Sequence, residues 1–550
     1  MTRDVLIVGS GAGGGAMALA LARAGVDVLV LEKGPEHRRE EYPADEVSSL
    51  WRGTFVPPLD EDPHVLVHED LAAPRPTTLG WTASCVGGGT VHMGAFFGRF
   101  HPVDFRMRST FGPHEAIADW PFGYDELEPY LTLAEREVGV SGAAGRNPFE
   151  GPRSAGYPMP PLDHHPLAEA LDRACEGLGL HPFPTPRAIN SRPYGGRPAC
   201  SYCRRCASYG CRTGARGTAQ EALLARAVAT GRCEVRPLSM VREVTVDAAG
   251  RARGCRYLDR RGAEREVRAR VVCVACSAVE SARLLLMSRS AHFPDGLGNG
   301  EGQVGKNLHF HGTSIGRGRF LRSRHGAEPF ADPNPFIGRS LMDHYFLPDG
   351  VSDLPKGGQI IFHYRHGNPI LGAKITAQGN GEWTLWGREL KARLAAQRDF
   401  RSIGFEVQHD FLPNDRTFVE LDPEVTDRWG LPVARIHLHT PGHHRRAGRW
   451  LVERGLEVLE AMGADEVEPV LVGETAPYLV HGSCRAGTDP ASSVVDEVCR
   501  VHGVPNLFVV DGSIMPTSGG VPPTLTILAN SLRVADRILA QGRAGAFGAG

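Results

Sequence analysis

Gly9, Gly11 and Gly14 in the run VGSGAGGG carry the G-x-G-x-x-G spacing, and Glu32 closes the next apolar run. The chemistry open to that set is the binding of a dinucleotide. The first glycine permits a tight turn, the second lets backbone approach a pyrophosphate, and the third lets a helix pack closely on a strand, so that the helix amides face the phosphates. A carboxylate at the position of Glu32 is placed to bind ribose hydroxyls. A second loop, VGGGTVHM, holds Gly87 to Gly89 in succession followed by Thr90 and His92, and three glycines in a row let backbone lie against a flat ligand. A third cluster, CSYCRRCASYGC, brings Cys200, Cys203, Cys206 and Cys211 close together. Thiolates so spaced favour a soft metal or an iron-sulfur cluster, although the spacing only approximates the bacterial ferredoxin run and the following proline is missing.

Positioning the first set requires a βαβ unit, and the sequence supplies one. Asp4 to Val8 and Asp27 to Leu31 read as short buried strands, with Gly13 to Ala24 as a small-residue helix between them. The fold class is therefore α/β, with a Rossmann-like, doubly wound nucleotide-binding domain; the motif alone does not choose between NAD and FAD. Prolines make residues 106–214 irregular. Regular patterns return with a helix over Ala219 to Ala229, strands over Cys233 to Val246 and Ala252 to Tyr257, and VVCVAC running into the helix SAVESARLLLMS. Residues 306–474 show no clean repeat. The tail restores order with a glycine-rich loop at His481, the strand NLFVVDG and a helix over Leu525 to Leu539.

Composition excludes several classes. Net charge is −2, and 56 of the 61 basic residues are arginines scattered along the chain, with no basic run carrying interleaved aromatics, so no nucleic-acid partner is expected. No apolar stretch approaches the ~20 residues of a membrane span, and the chain enters its first strand without a leader, which places the protein in the cytoplasm with its twelve cysteines as thiols or ligands.

The tail HGSCRAGTDPASSVVDEVCRVHGVPNLFVVDGSIMPTSGGVPPTLTILANSLRVADRIL resembles the carboxy-terminal block of the glucose-methanol-choline (GMC) oxidoreductases, FAD enzymes that oxidise alcohols. The likeness continues through the glycine box, VGGGT, DWPFGYDELEPYLTLAEREVGVSG, VVCVACSAVESARLLLMS and VGKNLHFH, and is nearest to the branch with gluconate, fructose and glucose dehydrogenases and the aminoglycoside alcohol oxidases. The resemblance implies FAD as cofactor, held by both glycine loops and by Asp511, Gly512, Pro523 and Thr524. It also implies a GMC fold in which residues 1–105, 215–305 and 475–545 form the FAD domain, while 106–214 and 306–474 form the cap and an α+β substrate domain.

An alcohol releases hydride to a flavin poorly until its hydroxyl proton is leaving, so a base must stand beside the flavin. His481 falls on the family's catalytic histidine. The partner position departs from the family: Pro522 stands where a histidine or asparagine precedes Pro523 and Thr524, and proline offers neither a side-chain donor nor an N–H. His309, His311, His344 and His363 are candidates for the missing contact. His92 aligns with the flavin-linking histidine of pyranose 2-oxidase; packing beside the isoalloxazine is the plainer role. In some relatives the cysteine stretch binds an iron-sulfur cluster, and in others it is packing or a disulfide.

The expected activity is FAD-dependent oxidation of an alcohol on a polyhydroxylated substrate. The most specific form is an aminoglycoside primary-alcohol oxidase in antibiotic biosynthesis, with oxygen or a redox partner as acceptor. A sugar or sugar-acid dehydrogenase passing electrons through the cysteine-bound cluster, and a non-redox FAD protein of lyase type, are the alternatives.

Overall fold

Parallel strands buried on both faces organise one half of the molecule. The computed structural model describes residues 2–543 apart from 52, 82, 204, 326–333, 335, 365–367, 379–383 and 472–477. Val5 to Val8, Val28 to Leu31 and Val271 to Val274 are continuous buried apolar runs, the pattern of a parallel sheet covered by helices on each side. Strand Thr2–Val8 pairs in parallel with Val28–Leu31 on one edge and with Glu264–Val274 on the other. Cys233–Arg236 extends the sheet outward, Leu507–Val509 adds a parallel strand to Glu264–Val274, and Ala252–Leu258 with Met240–Val246 continues it as antiparallel strands. Helix Ala12–Arg23 packs against this sheet and against helix Thr524–Arg543, with Ser531 Oγ donating to the Gly13 carbonyl at 2.7 Å.

The expected single strand from Cys233 to Val246 is two strands. Pro237 cannot donate to a ladder, Leu238 takes a φ of +53°, and the amides of Leu238 and Ser239 turn aside to the carbonyls of Gly34 and Glu32. The break lays this crossing over the end of the Glu32 strand.

Residues 306–474, which showed no repeat, contain the spine of a second, antiparallel sheet. Its order is Glu466–Leu471, His309–Leu321, Phe400–Asp410, Gly358–His363, Arg339–Leu341 and Phe183–Pro184, and Tyr478–His481 also pairs with His309–Leu321. The alternation is hidden because the spine HFHGTSIGRGRFL is buried on both faces over its first half and mixes polar residues with glycine. A Cβ at Gly316 would lie 2.2 Å from the Phe405 ring, so an aromatic on the neighbouring strand fills the place of the missing side chain. A small third sheet joins distant segments, with Phe418–Thr426 and Pro432–Leu438 extending His64–His68 and Arg75–Thr77.

Histidine is concentrated in the interior beside the second sheet. His309, His311, His409, His443, His444 and His481 are all buried; His409 stacks on His444 at 4.9 Å between centroids. Burial holds all of these imidazoles below the ordinary histidine range, His309 and His443 at about 4 and His311 and His444 at about 3. Since the unfolded chain takes up protons below about pH 6.5 while the folded chain does not, each such histidine removes up to about 1.4 kcal/mol of stability per pH unit on acidification. Glu32, Asp104 and Asp511, raised by burial, act in the opposite sense but are outnumbered. The thermal midpoint is therefore expected to fall between pH 7 and pH 5 in a scanning calorimetry series; a flat or rising midpoint would count against a neutral histidine core.

Candidate active site and cofactor cradle

The two glycine loops meet backbone to backbone. Gly9 has a φ of +97°, and a Cβ on Gly14 would lie 2.0 Å from the Gly9 carbonyl oxygen, so both glycines are required by the chain's own packing. Gly11 differs. It caps helix Ala12–Arg23 with no side-chain hydrogen bond and no acidic residue in the first turn, and a Cβ there would meet nothing nearer than Gly88 Cα at 4.0 Å. The exposed amides and the dipole of this helix end favour an anion.

Ser10 ties the loops together, a role its place between two glycines had concealed. Its hydroxyl donates to Glu32 Oε2 at 2.6 Å and accepts from Gly87 N at 3.1 Å, while its own amide donates to the same carboxylate oxygen. Gly34 N donates to Glu32 Oε1 at 2.9 Å. Burial raises the Glu32 carboxyl, and these donors together with Lys33 counter the rise. The second loop forms a short 3₁₀ turn, Gly88–Val91, which contains Gly89. Thr90 Oγ1 donates to the Gly87 carbonyl at 2.6 Å and accepts from Ala219 N at 2.8 Å, so this hydroxyl closes the turn. His92 follows with its ring stacked on Phe55, 5.3 Å between centroids and 1° from parallel.

Asp511 works on the site through the turn it holds. Its carboxylate accepts from Ser281 Oγ at 2.5 Å, Ser277 N at 3.0 Å and Ser513 N at 2.8 Å. The following turn, Gly512–Ile514, supplies carbonyls that receive the amides of Gly482, Cys484 and Ala486, laying the chain after His481 alongside it. Pro523 closes the next loop, its carbonyl accepting from Ile527 N at 3.0 Å as Thr524 opens the last helix.

His481 is the last residue of strand Tyr478–His481 and stands opposite His309 in the ladder. It is 1 % exposed, and neither ring nitrogen has a hydrogen-bond partner among the described residues. The rings of His309 and His311 flank it at 5.6 and 5.9 Å. Burial, reinforced by these two neighbours, holds its pKa well below the usual histidine value. A neutral imidazole presents one lone pair, and the arrangement can therefore take a proton from a hydroxyl group. His344 packs instead on Trp450, and His363 lies over Gly404, so neither is brought beside His481.

The four cysteines are not gathered as metal ligands. Among the described residues no three or more His, Cys, Asp or Glu side chains converge as a metal site. Positive φ values at Tyr202, Ala207 and Ser208 bend the segment, Cys203 is exposed, and Cys200 and Cys211 take a local amide and the Thr213 hydroxyl as neighbours. Burial pushes the Cys211 thiol up, but the Arg216 guanidinium and local donors outweigh it and hold it below the ordinary range. The segment instead braces the flanking glycine loop: Ser208 N donates to the His92 carbonyl at 2.7 Å, and Arg216 Nη1 donates to the carbonyls of Val91 and Tyr209, each at 2.8 Å.

A small cavity of about 20 Å³ is lined in part by Arg99, His101, Asn147, Glu150, Tyr157 and Gln359. Gln359 N donates to the Gly520 carbonyl at 3.1 Å, which joins one wall to the loop carrying Pro522 and Pro523.

GMC oxidoreductase amino- and carboxy-terminal domains match residues 12–313 and 413–531. The chain is 33 % identical over 545 residues to 6'''-hydroxyparomomycin C oxidase of Streptomyces lividus and 34 % identical over 546 residues to paromamine 6'-oxidase of Streptomyces fradiae, covering in each case 97 % of this chain and 91 % of the relative. Pyridoxine 4-oxidase from Mesorbium loti superposes with a TM-score of 0.63 at 20 % identity, covering 98 % of this chain and 99 % of that one, a likeness of fold. With matched domains over most of its length and relatives aligned nearly end to end, the chain belongs to the GMC oxidoreductase family.

Proposed function

We propose that this chain oxidises an alcohol on a sugar-like substrate to an aldehyde or ketone, with His481 as the base that removes the hydroxyl proton. The observation that carries the reading is the fully buried, neutral imidazole with both nitrogens unpaired among the described residues. Such a group costs stability unless it serves a ligand. GMC oxidoreductases bind FAD, and the residues here fit it: the uncapped helix end at Gly11 for the pyrophosphate, Glu32 for ribose hydroxyls, and the Gly87–Gly89 backbone with Pro523 and Thr524 toward the flavin. When bound, FAD supplies the hydride acceptor.

The finer reading is a primary alcohol on an aminoglycoside, oxidised to an aldehyde ready for transamination in antibiotic assembly, with oxygen as the acceptor. Its support is the two aminoglycoside-named oxidases among the relatives. No helix among the described residues is long and apolar enough to cross a membrane, and the reading places the enzyme in the cytoplasm. His92, its ring engaged on Phe55, contacts the flavin without a covalent bond.

Anaerobic mixing with sugars, sugar acids and aminoglycosides, followed by air, tests the activity. An aminoglycoside is expected to bleach the flavin and air to restore it; absence of bleaching by any alcohol would favour a non-redox role. His481→Ala should slow flavin reduction about 10²- to 10⁴-fold with FAD still bound. Because the folded pKa of His481 lies below the ordinary value, the wild-type reduction rate should stay level from pH 8 to pH 6 and decline only in stronger acid; a fall centred near 6.5 or above would place the base elsewhere.

Gly11→Val should fold and lose FAD, since a Cβ there makes only an ordinary contact with Gly88 Cα at 4.0 Å and the added bulk would meet the pyrophosphate. Retention of stoichiometric FAD by a folded Gly11→Val protein would overturn the placement of the pyrophosphate. Acid precipitation should release the flavin to the supernatant, and yellow colour retained in the pellet would establish a covalent link.

A further inference from the structure

We propose that His311 holds the substrate oxygen in this enzyme, as the hydrogen-bond donor that Pro522 cannot be. The inference rests on the assignment of His481 as base and adds the second polar group that the reaction uses.

The loop 517–523 contains no side chain left to do this work. Its polar residues are Thr517 and Ser518. Thr517 Oγ1 donates to the Asp104 carbonyl and accepts from Trp120 Nε1, each at 3.1 Å. Ser518 Oγ donates to Asp410 Oδ1 at 3.3 Å and accepts from Phe411 N at 3.2 Å. Gly520 is pinned by its amide to Tyr345 Oη and by its carbonyl to Gln359 N. The loop cannot reorient to present another group without breaking these bonds.

Two histidines face His481 from the neighbouring strand, and their chemistry differs. His309 Nδ1 lies 2.9 Å from the Asn307 carbonyl oxygen, which can only accept, so in the neutral ring Nδ1 carries the proton and Nε2 offers a lone pair. His309 therefore cannot donate to an alcohol oxygen. His311 has no hydrogen-bond partner on either ring nitrogen among the described residues, is fully buried, and stands edge-on to His481 at 78°. Whichever tautomer it adopts, one N–H remains to be given. A ladder irregularity between Phe310 and His311 sets its strand position apart from the regular pairing of His309 with His481.

In the reaction, His311 N–H donates to the alcohol oxygen while His481 accepts the hydroxyl proton. The C–H bond breaks with its electron pair leaving as hydride, the C–O bond becomes C=O, and the hydroxyl proton stays on His481; FAD, when bound, would supply the two-electron hydride acceptor. His311 keeps its own proton throughout and steadies the oxygen as negative charge develops on it.

Stopped-flow flavin reduction in five holoenzyme variants tests this, with the aminoglycoside or sugar that bleaches wild type as the probe. His311→Ala should lose about 10²-fold in limiting reduction rate, a typical cost of deleting one oxyanion donor. His311→Gln, which keeps an N–H donor near the same reach, should recover most of that loss. Pro522→Asn should recover rate when combined with His311→Ala and should not rescue His481→Ala. Wild-type reduction rates in His311→Ala, or equal losses in His311→Ala and His311→Gln with FAD content and thermal midpoint unchanged, would overturn the assignment. Should His311→Ala fail to hold FAD, the Gln variant decides alone: a rate within tenfold of wild type supports the donor role and a larger loss refutes it. A normal rate in His481→Ala with a slow His311→Ala would defeat the base assignment while leaving the His311 result standing.

Discussion

Lys356 is the interaction on which the interior depends. Its fully buried Nζ lies 3.1 Å from Asp104 and 2.9 Å from Asp410, and Tyr345 Oη donates to Asp104 at 2.6 Å. Asp104 sits in the 3₁₀ turn Pro102–Phe105, Asp410 ends a strand of the second sheet, and Ser518 and Gly520 link the carboxy-terminal loop to the same group through Asp410 and Tyr345. Three stretches distant in sequence are thereby fixed around one ammonium. Burial raises Asp104, against the pull of Lys356, while for Asp410 burial is outweighed by the attraction and hydrogen bond of Lys356 together with His443 and His311, which lower it. Removing one partner of such a set typically costs about 3–5 kcal/mol because the others stay buried and uncompensated. The return is orientation: with this loop pinned, proline at 522 is part of a rigid wall.

The cofactor half of the fold was legible in the sequence because its signals are local. A parallel sheet buried on both faces writes itself as VLIV, VLVL and VVCV, and glycine spacing marks the turn between strand and helix. The antiparallel half was illegible for a physical reason. Its spine, His309–Leu321, is buried through histidine, threonine, serine and glycine, so the alternation that signals a half-exposed strand is absent, and pairing partners as far away as Phe400–Asp410 decide the register. His481 could be placed by likeness, but its neighbours His309 and His311 could be chosen from the other buried histidines only once the ladder set them side by side. Ser10 was missed because a serine between glycines looks like filler until its hydroxyl is seen joining Glu32 to Gly87.

The cysteine segment shows how close spacing can mislead. Four thiols within one short stretch satisfy the composition of a cluster site, yet ligation needs side chains that converge, and among the described residues these do not form a group that could hold a metal. The segment's backbone and Arg216 are instead committed to the loop ending at His92. What looked like a centre for electron transfer is a brace.

The way the first sheet is completed has a bearing on biosynthesis. Strand Leu507–Val509 covers an edge of Glu264–Val274, the Val510 carbonyl fits against Gly13, where a Cβ would come within 1.9 Å, and the last helix lies on the first. A nascent chain emerging from the ribosome must therefore carry an open parallel edge and a partly uncovered first helix until residues 507–543 have been made. Unpaired edges of that kind invite association with other chains. Synthesis rate and chaperone supply, more than final stability, should govern how much of this protein a cell recovers in active form.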